Sequence, residues 1–170
     1  MLTTMKYKAN KVVLLVLVVA SLAGCFGTKP GGKEYREVTK LNGSDNSRMI
    51  KRFEEYPIDK QLDIVLYSDD PRFGPILARG GPQNIPAIVD RISRPDVHML
   101  DKYQLTMVLH RINQDCRCIK SDSEIIQRLE AVGRSNPSGD YPSNSGTDTY
   151  TRMYLDSVSL VKRQLDTSLK

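Results

Sequence analysis

Apolar and polar residues follow the 3.6-residue period of amphipathic α-helices from residue 47 onward. Within a segment the apolar positions recur at i, i+3, i+4 and i+7, as they do from Ile85 to Ile92, and this spacing places them on one face of a helix. Polar stretches that contain Gly or Pro separate the segments. The apolar stripes are Met49/Ile50/Phe53, Ile58/Leu62/Val65/Leu66, Phe73/Ile76/Leu77, Ile85/Ile88/Val89/Ile92, Leu105/Val108/Leu109/Ile112, Ile125/Ile126/Leu129/Val132 and Tyr150/Tyr154/Val158/Val161/Leu165.

Residues that favour helix ends lie between these stripes. Asp70, Asn84 and the capping-box sequence Ser121–Glu124 predict helix starts, because their side chains accept hydrogen bonds from unpaired backbone N–H groups. Gly80-Gly81 and Gly133 predict helix ends.

Strand signals are nearly absent. Gln61–Tyr67 is rich in β-branched and aromatic residues, but it fits the helical period as well as the alternating one. We therefore predict an all-α domain over residues 47–170, in which six to seven short helices pack as successive antiparallel hairpins.

The N-terminus has the organisation of a secretory signal. Met1–Lys11 is basic, Val12–Ala20 is a run of apolar residues, and small residues follow up to Gly24. Counted generously, the apolar stretch is about 15 residues long, whereas a bilayer-spanning helix needs about 20. We therefore predict that residues 1–24 are a signal peptide and not a permanent transmembrane helix.

Leu22-Ala23-Gly24-Cys25 resembles the lipobox of bacterial lipoprotein precursors. The resemblance implies cleavage between Gly24 and Cys25, a diacylglycerol on the Cys25 thiol and an acyl chain such as palmitate on the new amine. Several acyl chains give stable membrane anchoring, whereas one gives marginal binding. Because residue 26 is Phe and not Asp, the resemblance implies an outer-membrane lipoprotein facing the periplasm if the host is Gram-negative. A plain secretory signal is the alternative.

Residues 25–46 are rich in Gly, Lys, Thr and Ser and show no sustained apolar period. This composition predicts a flexible tether with a reach of about 25 Å. An N-terminal strand packed on the domain is the alternative.

The net charge of the 170 residues is +5, but the signal peptide supplies much of it. Without residues 1–24, which hold three lysines and no acid, 22 basic and 20 acidic side chains remain. The basic residues are dispersed among acids and have no accompanying aromatic platform, so we expect no nucleic-acid partner.

Three cysteines are present, Cys25, Cys116 and Cys118. With Cys25 lipidated, Cys116 and Cys118 form either a local disulfide, which an exported compartment permits, or a reduced pair. A redox-active Cys-x-Cys is an alternative, although its spacing differs from the usual two-residue gap. A zinc site that combines this pair with His98 and His110 is another, although the spacing matches no established zinc pattern.

Motifs of catalysis are missing from the sequence. It contains no Gly-rich phosphate loop, no Gly-x-Ser-x-Gly elbow and no His-Glu-x-x-His sequence, so we expect no enzyme, no catalytic residue and no cofactor apart from the lipid on Cys25.

Ile85–Ile92 (IPAIVDRI) is similar to the first helix of a HEAT-type repeat, and residues 58–132 resemble small helical bacterial proteins with the layout D…ILARGG…IPAIVDRI. The resemblance implies a HEAT-like fold that binds partners. We therefore predict an envelope lipoprotein of accessory, exclusion or immunity type that binds a protein. The alternatives are a redox or metal-binding protein that uses Cys116 and Cys118, and a ligand carrier with a groove between helices.

Overall fold

The computed structural model describes residues 30–41, 46–68, 70–135 and 146–163. Within these ranges the chain forms eight α-helices and one short 3-10 helix, Pro82–Asn84, and it forms no β-strand. The α-helices are α1 (Gly32–Thr39), α2 (Ser47–Glu54), α3 (Ile58–Tyr67), α4 (Phe73–Arg79), α5 (Ile85–Ser93), α6 (Met99–Cys116), α7 (Glu124–Ser135) and α8 (Gly146–Arg163).

The predicted all-α class is confirmed. Seven of the helices begin at or after Ser47, in agreement with the six to seven expected there. The ambiguous segment Gln61–Tyr67 belongs to helix α3. Its apolar side chains on the 3.6-residue period are buried, which favours the helix over an isolated strand.

Helix α6 lies at the centre of the helical packing. It contacts α4 and α5, and its most extensive contact is with α8. Helix α8 also packs against α7. Tyr154 of α8 is fully buried, and its hydroxyl donates a 2.8 Å hydrogen bond to the Leu129 carbonyl oxygen of α7. Burying a tyrosine with its hydroxyl paired avoids the cost of an unsatisfied polar group.

The prediction of a flexible tether over residues 25–46 is wrong for residues 32–39, which form helix α1. This helix packs against α2 and α3, and Val38 is fully buried. The Tyr35 ring lies 5.5 Å from the Tyr67 ring and 5.9 Å from the Phe73 ring, measured between centroids. The alternative of a packed strand is also wrong, since the packed element is a helix. Residues 25–29 and 42–45 lie outside the described residues.

Gly31 explains how α1 approaches the domain so closely. Its φ angle of 89° lies in the left-handed region that glycine adopts without strain. A Cβ atom at this position would overlap the backbone carbonyl of Asp63 in α3. Helix α1 is therefore fixed to the domain at its first turn.

One predicted helix end is wrong, and one predicted cap makes a different hydrogen bond. Gly133 does not end a helix but lies inside α7, where a Cβ atom would overlap the Leu155 side chain of α8. Helix α5 begins directly after Asn84, as predicted, but the Asn84 side chain does not cap it. Its amide instead donates a 3.0 Å hydrogen bond to the Leu77 carbonyl near the end of α4. Contacts between helices thus decide the role of both residues.

Candidate functional site

A cleft of about 490 Å³ lies beside the central helix. Its volume falls in the range of sites that bind small molecules or short segments of a partner. One wall comes from the end of α3 and the start of α4, and the other comes from α6. The lining residues are Val65, Ser68, Asp70, Pro71, Gly74, Pro75, Tyr103, Gln104, Met107, Val108, His110, Arg111 and Gln114.

The α6 wall is a single stripe of side chains. Tyr103, Met107, His110 and Gln114 are spaced at i, i+4, i+7 and i+11, which places them on one face of the helix. Tyr103, Met107 and His110 of this stripe are half-buried, and Gln114 is exposed. This stripe presents an aromatic ring, a flexible thioether and two hydrogen-bonding groups to the cleft.

The opposite wall carries an ion pair. A carboxylate oxygen of Asp70 lies 2.6 Å from a guanidinium nitrogen of Arg72, and the Arg72 backbone N–H also donates to Asp70 over 3.1 Å. The hydrogen bonds from the Arg72 side chain lower the pKa of Asp70, so its carboxylate stays charged at neutral pH. Asp70 was expected to cap a helix, but α4 begins only at Phe73, and Asp70 organises the turn before it.

His110 connects the α6 wall of the cleft to α8, because it forms a hydrogen bond with the Leu160 backbone. Its Nε2 atom lies 3.3 Å from the Gln114 side-chain nitrogen. Burial lowers the pKa of His110 below the ordinary value of 6.5, while a hydrogen bond with the Leu160 backbone acts in the opposite direction. The imidazole is therefore neutral at pH 7.

The cleft offers groups for binding, and its one serine is not set up as a nucleophile. The Ser68 hydroxyl donates a 3.2 Å hydrogen bond to the Ile64 carbonyl of its own helix. A catalytic serine would instead donate to a base such as histidine. The lining pairs apolar surface with a few hydrogen-bonding and charged groups, which suits recognition.

Cys116 and Cys118 are joined by a disulfide bond in the structure. Cys116 is the last residue of α6, Cys118 is exposed, and Arg117 between them adopts a left-handed conformation with φ 50°. The C-terminal end of a helix carries partial negative charge, which disfavours a thiolate. Reactive cysteines favour the opposite environment, such as a helix N-terminus, so this position favours a structural bond.

Asn113 connects the disulfide turn to α8 and is fully buried. Its side-chain oxygen accepts a 2.8 Å hydrogen bond from the Ile119 backbone N–H. Its amide donates to the carbonyl oxygens of Ile119 and Val161, at 3.4 and 3.2 Å. Val161 belongs to α8. One side chain thus holds the turn and α8 together.

The zinc hypothesis for His98, His110, Cys116 and Cys118 is wrong. His98 precedes α6 and packs against the Tyr150 ring, whereas His110 is twelve residues further along the same helix. At 1.5 Å per residue, the two histidines are about 18 Å apart along the axis. Among the residues that the structure describes, no group of three or more His, Cys, Asp or Glu side chains is placed to hold a metal ion.

The lipidation site lies outside the described part of the chain. Gly24 and Cys25 precede residue 30, so the cleavage and lipidation that the lipobox implies stay predictions. In the ranges that the structure describes, no helix combines the length and the apolar character needed to span a bilayer.

The sequence did not identify the cleft or the role of Asn113. Tyr103 and Met107 are apolar residues four positions apart that lie outside the buried stripe of α6, and this second apolar pair is the signal that could have indicated a further contact surface. Asn113, next to Ile112 in the buried stripe, is a polar residue where an apolar one would be expected, which indicates a buried hydrogen-bonding role.

Comparison with known proteins gives no match to a family model, to a curated protein or to a solved structure.

Proposed function

We propose that this protein is a cell-envelope lipoprotein, anchored to the membrane by lipid on Cys25, whose helical domain binds a segment of a partner protein in the cleft beside α6. The observation that carries the binding role is the half-exposed stripe of Tyr103 and Met107 in a cleft of about 490 Å³. Aromatic residues and methionine are enriched where proteins bind one another. Methionine also adapts to the shape of its partner.

The size and charge of the cleft define the partner segment. From Tyr103 to Gln114 the α6 wall is about 17 Å long, enough for about five residues of an extended chain. Arg111 lies exposed at the rim, and the described part of the chain supplies no ion pair to it. The segment that fits is short and apolar and carries a carboxylate that meets Arg111.

Anchor and fold belong to the same proposal. The lipobox supports a membrane anchor, and Phe26 supports the outer membrane, with the domain in the periplasm, if the host is Gram-negative. A role as an accessory, exclusion or immunity protein agrees with a binding domain held at a membrane. The HEAT-like packing of successive antiparallel hairpins also stays a proposal.

Photocrosslinking in the native host tests the binding role. A photoreactive amino acid replaces Met107 in the full-length protein, and the control carries it in place of Ala131, which is exposed on α7 outside the cleft. We expect one protein adduct of defined mass from position 107 and none from position 131. Equal crosslinking at both positions, or a co-purified small molecule that fills the cleft at fixed stoichiometry, contradicts the proposal.

Charge substitutions in the cleft test the same proposal without crosslinking. Met107→Glu and Arg111→Glu should each reduce recovery of the partner from solubilised membranes, whereas Ala131→Glu, an exposed position on α7, should not. Circular dichroism of the three variants shows whether the fold is retained. Loss of the partner in the Ala131→Glu control as well would show that binding does not depend on the cleft.

A second candidate is thiol–disulfide exchange at Cys116 and Cys118, as the sequence alternative suggested. The exposure of Cys118 favours it, since a partner thiol can reach that sulfur atom. The position of Cys116 at the end of α6 argues against a stable thiolate. Replacing both cysteines by serine should leave the crosslink from position 107 unchanged, and its loss would favour the redox function.

A further inference from the structure

The link between the anchor and the folded domain is much shorter than a tether over residues 25–46. Residue 25 is five residues from Pro30, the first described residue, and five residues span at most about 18 Å in any conformation. The residues after Pro30 add no flexible length to this link, because Gly31 lies against the Asp63 carbonyl and Val38 is buried in the core. A lipid on Cys25 would therefore hold the surface around Pro30 close to the bilayer.

This surface contains a cavity of about 350 Å³, here called the Pro30 pocket. Its charged lining consists of Lys33, Arg36, Lys60 and a single carboxylate, Glu34. Glu34 pairs with Lys60, with 3.0 Å between nitrogen and oxygen. Lys33 and Arg36 are exposed, and the described residues supply no ion pair to either. The pocket thus carries a net charge of +2 beside the point where the chain leaves the anchor.

We propose that the Pro30 pocket binds the head groups of anionic phospholipids and fixes the orientation of the domain on the membrane. The inference rests on the lipid anchor of the proposed function, and it adds a second, non-covalent contact with the bilayer. Lysine and arginine side chains near an anionic membrane are attracted to its negative surface potential within a Debye length. The link of at most about 18 Å allows Lys33, Arg36 and Lys60 to come within this distance of the surface.

Fluorescence quenching in vesicles tests the orientation. The chain has no tryptophan, so one introduced tryptophan is a unique reporter. Tyr67→Trp places it in the Pro30 pocket, and Gln127→Trp places it on the exposed face of α7, which packs against α5 and α8. Lipidated full-length protein is reconstituted into phosphatidylcholine vesicles that contain about 30 % phosphatidylglycerol, which sets the negative surface potential, and lipids with spin-labelled head groups. We expect much stronger quenching of the Tyr67→Trp reporter.

Charge reversal tests the role of Lys33 and Arg36, to which the described residues supply no ion pair. Lys33→Glu combined with Arg36→Glu in the Tyr67→Trp protein should reduce quenching to the level of the Gln127→Trp reporter. Removing two cations alone lowers the local association constant by about 30-fold on the usual contribution of each residue, and the two added carboxylates lower it further. The matched control is Arg79→Glu with Lys120→Glu, which reverses two exposed charges outside the pocket. Circular dichroism confirms that each variant is folded.

The outcomes separate this inference from the anchor itself. Mass spectrometry and flotation show whether the protein carries lipid and binds vesicles, and an unlipidated protein would overturn both proposals. A lipidated, vesicle-bound protein with equal quenching at both reporters would overturn the orientation alone. Quenching that is unchanged by the Lys33 and Arg36 reversals, or by neutral vesicles, would overturn head-group binding by the pocket.

Discussion

Replacing Asn113 by alanine should destabilise the domain far more than a typical polar substitution does. The side chain is fully buried, and all three of its hydrogen-bond partners are backbone atoms, on Ile119 and Val161. Alanine removes these bonds and leaves the Ile119 N–H and the Val161 carbonyl without the partner that Asn113 supplied. Neither group is near enough to the surface to be rehydrated without a local opening of the structure.

The magnitude follows from the three distances. The 2.8 Å and 3.2 Å bonds have good donor–acceptor separations, whereas the 3.4 Å bond is long and contributes little. A hydrogen bond contributes about 1 kcal/mol, and an unsatisfied buried group costs about 1–3 kcal/mol. We expect Asn113→Ala to lower the free energy of unfolding by about 3 kcal/mol, which corresponds to a decrease in Tm of about 10 °C or more for a domain of this size.

Urea denaturation followed by circular dichroism measures this loss. Asp115→Ala is the control, because Asp115 is exposed on the same helix two residues away and should change stability by less than about 0.5 kcal/mol. Both variants are compared with the disulfide intact. A loss below about 1 kcal/mol for Asn113→Ala, or equal losses in the two variants, would refute the role assigned to Asn113.

Three further predictions concern the first turn of α1, His110 and the disulfide. Gly31→Ala should increase proteolytic cleavage of α1 more than Gly81→Ala does, because a Cβ atom would overlap backbone only at Gly31, although both glycines have positive φ angles. Equal cleavage in the two variants would contradict this. Burial keeps His110 neutral in the folded state, so the free energy of unfolding should fall as the pH decreases through about 6.5. Urea denaturation at about pH 7.5 and about pH 5.5 measures this fall, which should be smaller in His110→Gln. Serine at both Cys116 and Cys118 should cost only about 1–2 kcal/mol, since the bond closes a very short loop, and a loss above that of Asn113→Ala would show that the turn depends mainly on the disulfide.

The helices from Ser47 onward could be predicted because each stripe buries its own apolar residues. Ile85, Ile88, Val89 and Ile92 are all buried in α5, as their spacing indicates. Such a pattern is local, so a single sequence contains it in full.

The elements that could not be predicted depend on contacts between distant segments. Helix α1 has only Tyr35 and Val38 as apolar residues, too few for a periodic signal, and it is stabilised by packing against α2 and α3. Gly133 suggests a helix end when read alone, but the proximity of Leu155 on another helix makes glycine the residue that fits inside α7. Propensity is a weak guide wherever a tertiary contact decides the conformation.

The candidate site was hidden for the same reason. Tyr103 and Met107 are ordinary surface positions on an isolated helix, and they line a cleft only because α3 and α4 form the facing wall. The sequence did draw attention to His110, but as a zinc ligand together with residues that the fold keeps apart. A residue's chemistry can be recognised from sequence, whereas its neighbours here come from the three-dimensional arrangement.

Helix α3 links the two proposed surfaces and limits where a partner can be. Its Lys60 and Tyr67 line the Pro30 pocket, and its Val65 lines the cleft, so both surfaces share one rigid element of ten residues. A helix of that length measures about 15 Å, and the link to Cys25 adds at most about 18 Å. With the proposed lipid anchor on Cys25, a partner would therefore meet the cleft within about 33 Å of the bilayer, which favours the membrane-proximal part of an envelope protein over a segment far from the membrane.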